Sequence, residues 1–197
     1  MKVWASLVIA IGASLTVSAV EPSPQSRLPQ PAAVTRKATA EEITPEGLSA
    51  ALLAETNRVR LQYGCRPLHA QEELNAAAND QAMWMAMHLS ASHSNPFYEQ
   101  GDVKERVLRH GYHPTAVAEN VASLPALREG DPSPCATIAA NLVDAWLRSP
   151  GHRANLLNRT FTRFGCAARI APGFNGVEYV FGAQVFSTTP PATELQL

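Results

Sequence analysis

Two histidines and one carboxylate hold most of the chemistry that this sequence can offer. His93 stands in Ser92-His93-Ser94-Asn95, at the polar exit of a helical stretch, where a side chain faces a cleft more readily than a core. His152 follows Ser149-Pro150-Gly151, a helix break whose small residues open space around an imidazole. Glu119 lies in Ala118-Glu119-Asn120-Val121, at the lip of an apolar, strand-like run, where a carboxylate is costly to bury unless paired or hydrogen-bonded. Two imidazoles and a carboxylate in one place would suit a tetrahedral divalent metal such as zinc with an open fourth position, His93 and His152 being its ligands. They would equally suit a general acid/base group, or a hydrogen-bonded cluster that only braces the walls of a cleft. Spacing alone does not bring the three together. The other histidines, His69, His88, His110 and His113, read as surface or helix-end residues, and Trp84 and Trp146 as packing residues, with one edge of Trp146 free to line a cleft. Neither a GxSxG nucleophile elbow nor an HExxH zinc helix occurs in the chain.

These residues must be positioned by the elements around them. Thr44-Pro45-Glu46 is a helix start: Thr caps, Pro fits the first turn and Glu meets the positive end of the helix dipole. Leu48, Leu52, Thr56 and Val59 follow at helical spacing, and Gly64 is the stop. A second helix is expected from about Gln71 to Ala91, its many alanines permitting close approach of a neighbour. A third is expected from Val103 to His110, ended by Gly111 and Pro114. Leu124 to Pro134 has loop composition, and a fourth helix follows with Ile138, Leu142 and Trp146 on one stripe. His152 to Leu157 adds a further helical turn. The period then changes: Phe164–Ile170 and Val177–Phe186 are rich in aromatic and β-branched residues and flank the turn segment Ala171 to Gly176, which predicts an antiparallel hairpin. With a further strand near Glu119 to Ser123, the order of elements predicts an α+β fold, an antiparallel sheet flanked by helices.

The ends of the chain imply export. Lys2, the apolar stretch Trp4 to Val17 and the small-x-small run Val17-Ser18-Ala19 read as a signal peptide over residues 1–19. The stretch is short for a membrane span, which needs about 20 apolar residues, so no transmembrane segment is expected after cleavage. Residues 20–41 are rich in Pro, Ser and Gln and read as a disordered linker, residues 42–187 as one domain, and residues 188–197 as a flexible tail. Net charge is −1, or −2 once Lys2 leaves with the signal, and there is no basic stripe, so nucleic acid is not an expected partner. The three cysteines, Cys65, Cys135 and Cys166, have no metal-like spacing; in an oxidising compartment one disulfide and one thiol is the simplest outcome.

One resemblance runs through the whole domain. Leu53-Ala54-Glu55-Thr56-Asn57-Arg58-Val59-Arg60 with Pro67-Leu68, Glu73-Leu74 with Ala76-Ala77-Ala78, and Ser92-His93-Ser94 occur in the order found in CAP (SCP, cysteine-rich secretory) domains. Arg106 with Gly111-Tyr112, Ala118 to Ala122, Ala145 to Leu157, Gly165 and Gln184-Val185-Phe186 continue that order. The chain therefore resembles a bacterial-type member of the family from about Leu48 to Phe186. The resemblance implies a three-layer α-β-α sandwich with a central, mainly antiparallel sheet, and a cleft holding two His and two acidic residues. His93, Glu119 and His152 match three of these; Ser149 stands where animal and plant members carry the fourth, with Asp144 the nearest carboxylate. Asn120 and Trp146 are expected as further cleft-lining residues. The resemblance also implies a Cys65–Cys166 bridge, with Cys135–Cys166 as its rival. It makes the chain a secreted or periplasmic module binding a small-molecule, lipid, glycan or peptide ligand. The alternatives are a metal-assisted, peptidase-like hydrolase using His93, His152 and Glu119, and a structural envelope protein.

Overall fold

The computed structural model describes residues 42–99, 101–126, 133–174 and 176–188. The expected signal peptide, the linker and the tail beyond Thr188 lie outside these residues, as does most of the loop before the fourth helix. Helix α1 (Pro45–Gln62) begins where its cap is written, Gly47 N donating to Thr44 Oγ1 at 3.0 Å, and stops before Gly64, whose φ of +66° a residue with a side chain rarely adopts. The two-residue strand β1 (His69–Ala70), absent from the sequence reading, precedes α2 (Glu72–His88). That helix ends three residues earlier than expected because Leu89 turns into the left-handed region, φ 50°. Helix α3 (Val103–Arg109) is capped by Asp102, which accepts from Glu105 N at 2.8 Å. Strand β2 (Val117–Pro125), α4 (Pro134–Arg148), α5 (Pro150–Leu156) and the hairpin β3 (Arg163–Pro172) and β4 (Glu178–Ser187) complete the order. Both α4 and α5 open on the proline that the sequence places there.

The sheet runs β1-β3-β4-β2, antiparallel except for the β1–β3 pair, so β2 is an outer strand joined to β4 alone. Residues alternate between its faces. Phe164, Cys166, Ala168, Val180 and Phe186 pack with α1 and α4, around Leu52, Ile138, Leu142 and Trp146. Val121, Ala167, Phe181, Ala183 and Val185 pack with α2 and α3, around Leu74, Ala78, Met85 and Val107. This is the three-layer α-β-α sandwich. The alanines of α2 do what they were expected to do: the helix lies so close to β3 that a Cβ on Gly165 would fall 2.0 Å from the Leu74 carbonyl carbon.

The expected Cys65–Cys166 bridge is not formed, and all three cysteines are buried outside any disulfide. The reason is the length of α1. Cys65 lies beyond its C-terminal end, Sγ 3.4 Å from Leu157 O, whereas Cys166 lies under its first turns, donating to Ser49 O at 3.2 Å. The helical rise from Ser49 to Gln62 is roughly 20 Å, and a disulfide needs Cα atoms within about 7 Å.

Candidate functional site

The site forms where elements from both faces of the sheet meet over the outer strand. Glu119, on the α2 and α3 side of β2, has a side chain only 2 % exposed, and it is satisfied from two directions. His93 Nδ1 donates to Oε2 at 2.9 Å, and Arg106 Nη2 from α3 donates to Oε1. A carboxylate accepts only, so His93 Nδ1 carries a hydrogen. The His93 side chain is 58 % exposed. His152, in the first turn of α5, brings a second imidazole from the opposite face, the ring centroids 6.2 Å apart. Partial burial, then the neighbouring His93, hold the His152 pKa below its ordinary value, so its ring is neutral at pH 7.

Each of these side chains is held by polar residues placed in otherwise apolar elements. Arg106 is wholly buried; besides Glu119 its Nη1 serves His93 O at 3.3 Å and Gly101 O at 3.2 Å, so one guanidinium fixes both the carboxylate and the loop that carries His93. Gln81, buried on α2, donates to Ser92 O and holds the other side of that loop. Beneath the sheet runs a chain of amides. Asn155 Nδ2 donates to Asn120 Oδ1 (3.0 Å), Asn120 Nδ2 to Gln184 Oε1 (3.2 Å), and Gln184 Nε2 to Thr56 Oγ1 (2.8 Å). The chain joins α5, β2, β4 and α1. It also positions His152, whose carbonyl accepts from Asn120 Nδ2 at 3.0 Å.

The structure thus brings His93, Glu119 and His152 together and takes Trp146 and Asn120 out of the expected lining. Trp146 is fully buried, in the core on the α1 and α4 side, with its ring against Gly182. Asn120 is fully buried as well and supports the cleft from below. Ser149 joins α4 to α5, its N–H on Trp146 O at 3.2 Å and its carbonyl accepting from Arg153 N at 2.8 Å. Asp144 is exposed and paired with Arg148 one turn along α4. Arg153 stacks its guanidinium on Tyr63. Arg106, Gln81, Asn155, Gln184 and Thr56 were not among the expected site residues. For four of them the signal was present: Arg106, Gln81, Gln184 and Thr56 are polar residues at buried positions of their elements, whereas Asn155 is only partly buried.

The donor set is poorly suited to a metal. Both Glu119 oxygens are committed to His93 and Arg106, leaving two imidazoles where catalytic zinc takes three protein ligands. Among the described residues no group of three or more His, Cys, Asp or Glu side chains is placed to hold a metal ion. These residues do not fit a tightly held metal.

A three-layer sandwich with two histidines and a buried glutamate over an outer strand defines a class of small α+β domains. Residues 53–185 match the sequence profile of the cysteine-rich secretory protein family, CAP, and the chain belongs to that family. YkwD of Bacillus subtilis is 26 % identical over 148 residues, covering 75 % of this chain and 52 % of its own length; the chain spans about half of that relative. An outer surface protein from Borrelia burgdorferi has a similar fold, with TM-score 0.56, 16 % identity, and coverage of 77 % of this chain and 100 % of that one. So does an extracellular SCP-domain protein of Bacillus anthracis, with TM-score 0.55, 22 % identity, and coverage of 76 % of this chain and 45 % of that one. Among the described residues no helix is long and apolar enough to cross a membrane.

Proposed function

We propose that this chain is an exported ligand-binding module whose cleft is formed by His93, Glu119 and His152. The observation that carries the reading is the fixed, outward-facing His93 ring: a buried carboxylate and a buried guanidinium hold it, yet most of the side chain is open to ligand. Packing alone does not require a half-exposed imidazole to be fixed by two buried charges. Opposite it, neutral His152 offers a second hydrogen-bonding group at pH 7. Export is supported by Lys2, the apolar stretch Trp4 to Val17 and the Val17-Ser18-Ala19 run.

A second reading draws on the same pair. A histidine whose Nδ1–H is oriented by a carboxylate is the general-base half of a hydrolytic site, although no hydroxyl or thiol is hydrogen-bonded to the His93 ring among the described residues. Calorimetric titration of the full-length protein with a fatty acid, an oligosaccharide, a peptide library and zinc chloride separates these readings. Binding of one organic probe, weakened at least tenfold by both His93→Ala and His152→Ala, supports the module. Turnover of fluorogenic ester or peptide substrates that His93→Ala abolishes would replace it with the hydrolase. Tight, stoichiometric zinc binding lost in both variants would show that the cleft acquires further metal ligands.

A further inference from the structure

Strand β2 has an unused side. In an antiparallel ladder, residues that exchange hydrogen bonds with the partner alternate with residues whose N–H and C=O point away from it. Thr188 N donates to Ala116 O at 3.3 Å and Ala126 N to Glu178 O at 2.8 Å. Together with the β2–β4 register, these bonds place the even-numbered residues of β2 on the β4 side. Val117, Glu119, Val121 and Ser123 therefore turn their backbone groups outward. Two independent details agree. The Glu119 carbonyl is met from outside by Asn155 Nδ2 at 3.2 Å, and Pro125, which lacks an N–H, occupies an outward position, where proline is tolerated in a strand. Among the described residues, the outward groups of Val121 and Ser123 have no partner.

Beside this edge lies a cavity of about 420 Å³ lined by Leu89, Ser123, Gly173, Phe174, Tyr179 and Phe181. Phe174 is almost fully exposed at its mouth. The left-handed turn at Leu89 sends the chain from this cavity toward His93, so the cavity and the histidine pair flank the same short run of β2, Glu119 to Ser123, which is roughly 14 Å long.

We propose that the ligand of the cleft is an extended peptide that adds as a strand to the outer edge of β2, pairing with Val121 and Ser123, with one apolar side chain in the Leu89–Phe181 cavity and one end against His93 and His152. This rests on the reading of the cleft as a ligand site and names its ligand class. Only an extended backbone offers donors and acceptors at the two-residue period that Val121 and Ser123 present, which a fatty acid or a sugar does not. A second folded copy would have to bring its edge past His93 and His152, whose ring centroids stand 6.2 Å apart over β2, whereas a peptide can end against them.

The test uses the full-length protein and a positional-scanning library of acetylated, amidated heptapeptides. Expected are saturable binding favouring an apolar residue at one position, and amide shifts and slowed hydrogen exchange at Val121 and Ser123. Ser123→Pro removes only an outward N–H, leaves the β4 ladder whole, and should weaken binding at least tenfold with little change in melting temperature. Should the proline variant fail to fold, heptapeptides N-methylated at the pairing residues carry the same test on the parent protein. Equal binding by Ser123→Pro and by N-methylated peptides would overturn the proposal; if that binding is still lost in His93→Ala, the cleft reading survives. Binding of the fatty acid or oligosaccharide that depends on His93, with no heptapeptide bound, would likewise overturn the strand and keep the cleft. Self-association abolished by Ser123→Pro, without peptide binding, would make the occupant a second copy and overturn the proposal.

Discussion

At the scale of single residues, Arg106 and Glu119 explain why His93 stands where it does. Both are buried, and each is the other's charge partner, so removing one leaves an uncompensated charge in the interior. Arg106→Met should destabilise the protein by about 3 kcal/mol or more, read as a lower urea midpoint. Arg106→Lys should recover little of this, because a point charge cannot serve Glu119, His93 O and Gly101 O together. His152 makes stability depend on pH. Its folded pKa lies below the ordinary imidazole value near 6.5, so the unfolded chain binds the proton more readily. Stability is full above that value and is lost as pH falls through the depressed folded pKa. His152→Gln should flatten this acid-side slope in urea midpoints taken from about pH 7.5 down to about pH 5.

At the scale of elements, the decisive contact is α2 on β3. A methyl group at Gly165 would meet the backbone of Leu74 and Asn75, which cannot move as a flexible side chain can. Gly165→Ala should therefore cost about 3 kcal/mol and lower the melting temperature by several degrees. Gly151→Ala is the matched control: it has nothing within 4 Å and lies in α5, so it should be neutral or slightly stabilising. The elements themselves were largely legible in the sequence. Thr44 and Pro45, Pro134 and Pro150 each mark a boundary through local backbone chemistry, and the structure honours them; the turn expected from Ala171 begins later, because β3 stays paired with β4 as far as Pro172. Strand β1 was missed because two exposed residues have no hydrophobic period to read; their strand character comes only from parallel pairing with Arg163 and Phe164.

At the scale of the whole molecule, the layers are joined by polar residues as well as by the two cores. The relay from Asn155 to Thr56 crosses from α5 through two strands to α1. Gln184→Leu would leave Asn120 Nδ2 and Thr56 Oγ1 without these partners, and should cost about 2 kcal/mol and shift the NMR signals of the His152 ring, although Gln184 does not touch it. The cysteines report on the same packing. All three are buried, and burial raises the Cys166 pKa, so the native protein should react slowly with a thiol reagent. Denatured without reductant, it should take up three labels by mass. Uptake of one label would show a disulfide.

The sequence by itself determined the family and the order of the main elements. It also determined the three residues that the cleft unites, because caps, prolines, periodicity and the Ser92-His93-Ser94 and Ser149-to-Arg153 motifs are local and act through a few neighbouring bonds. Only the tertiary structure decided what those residues touch. That Glu119 is claimed by His93 and Arg106, that Trp146 faces the core, that Cys65 and Cys166 lie at opposite ends of a helix, and that β2 is the outer strand all depend on distances between segments remote in the chain. Strand order and helix length set those distances, and no local pattern encodes them.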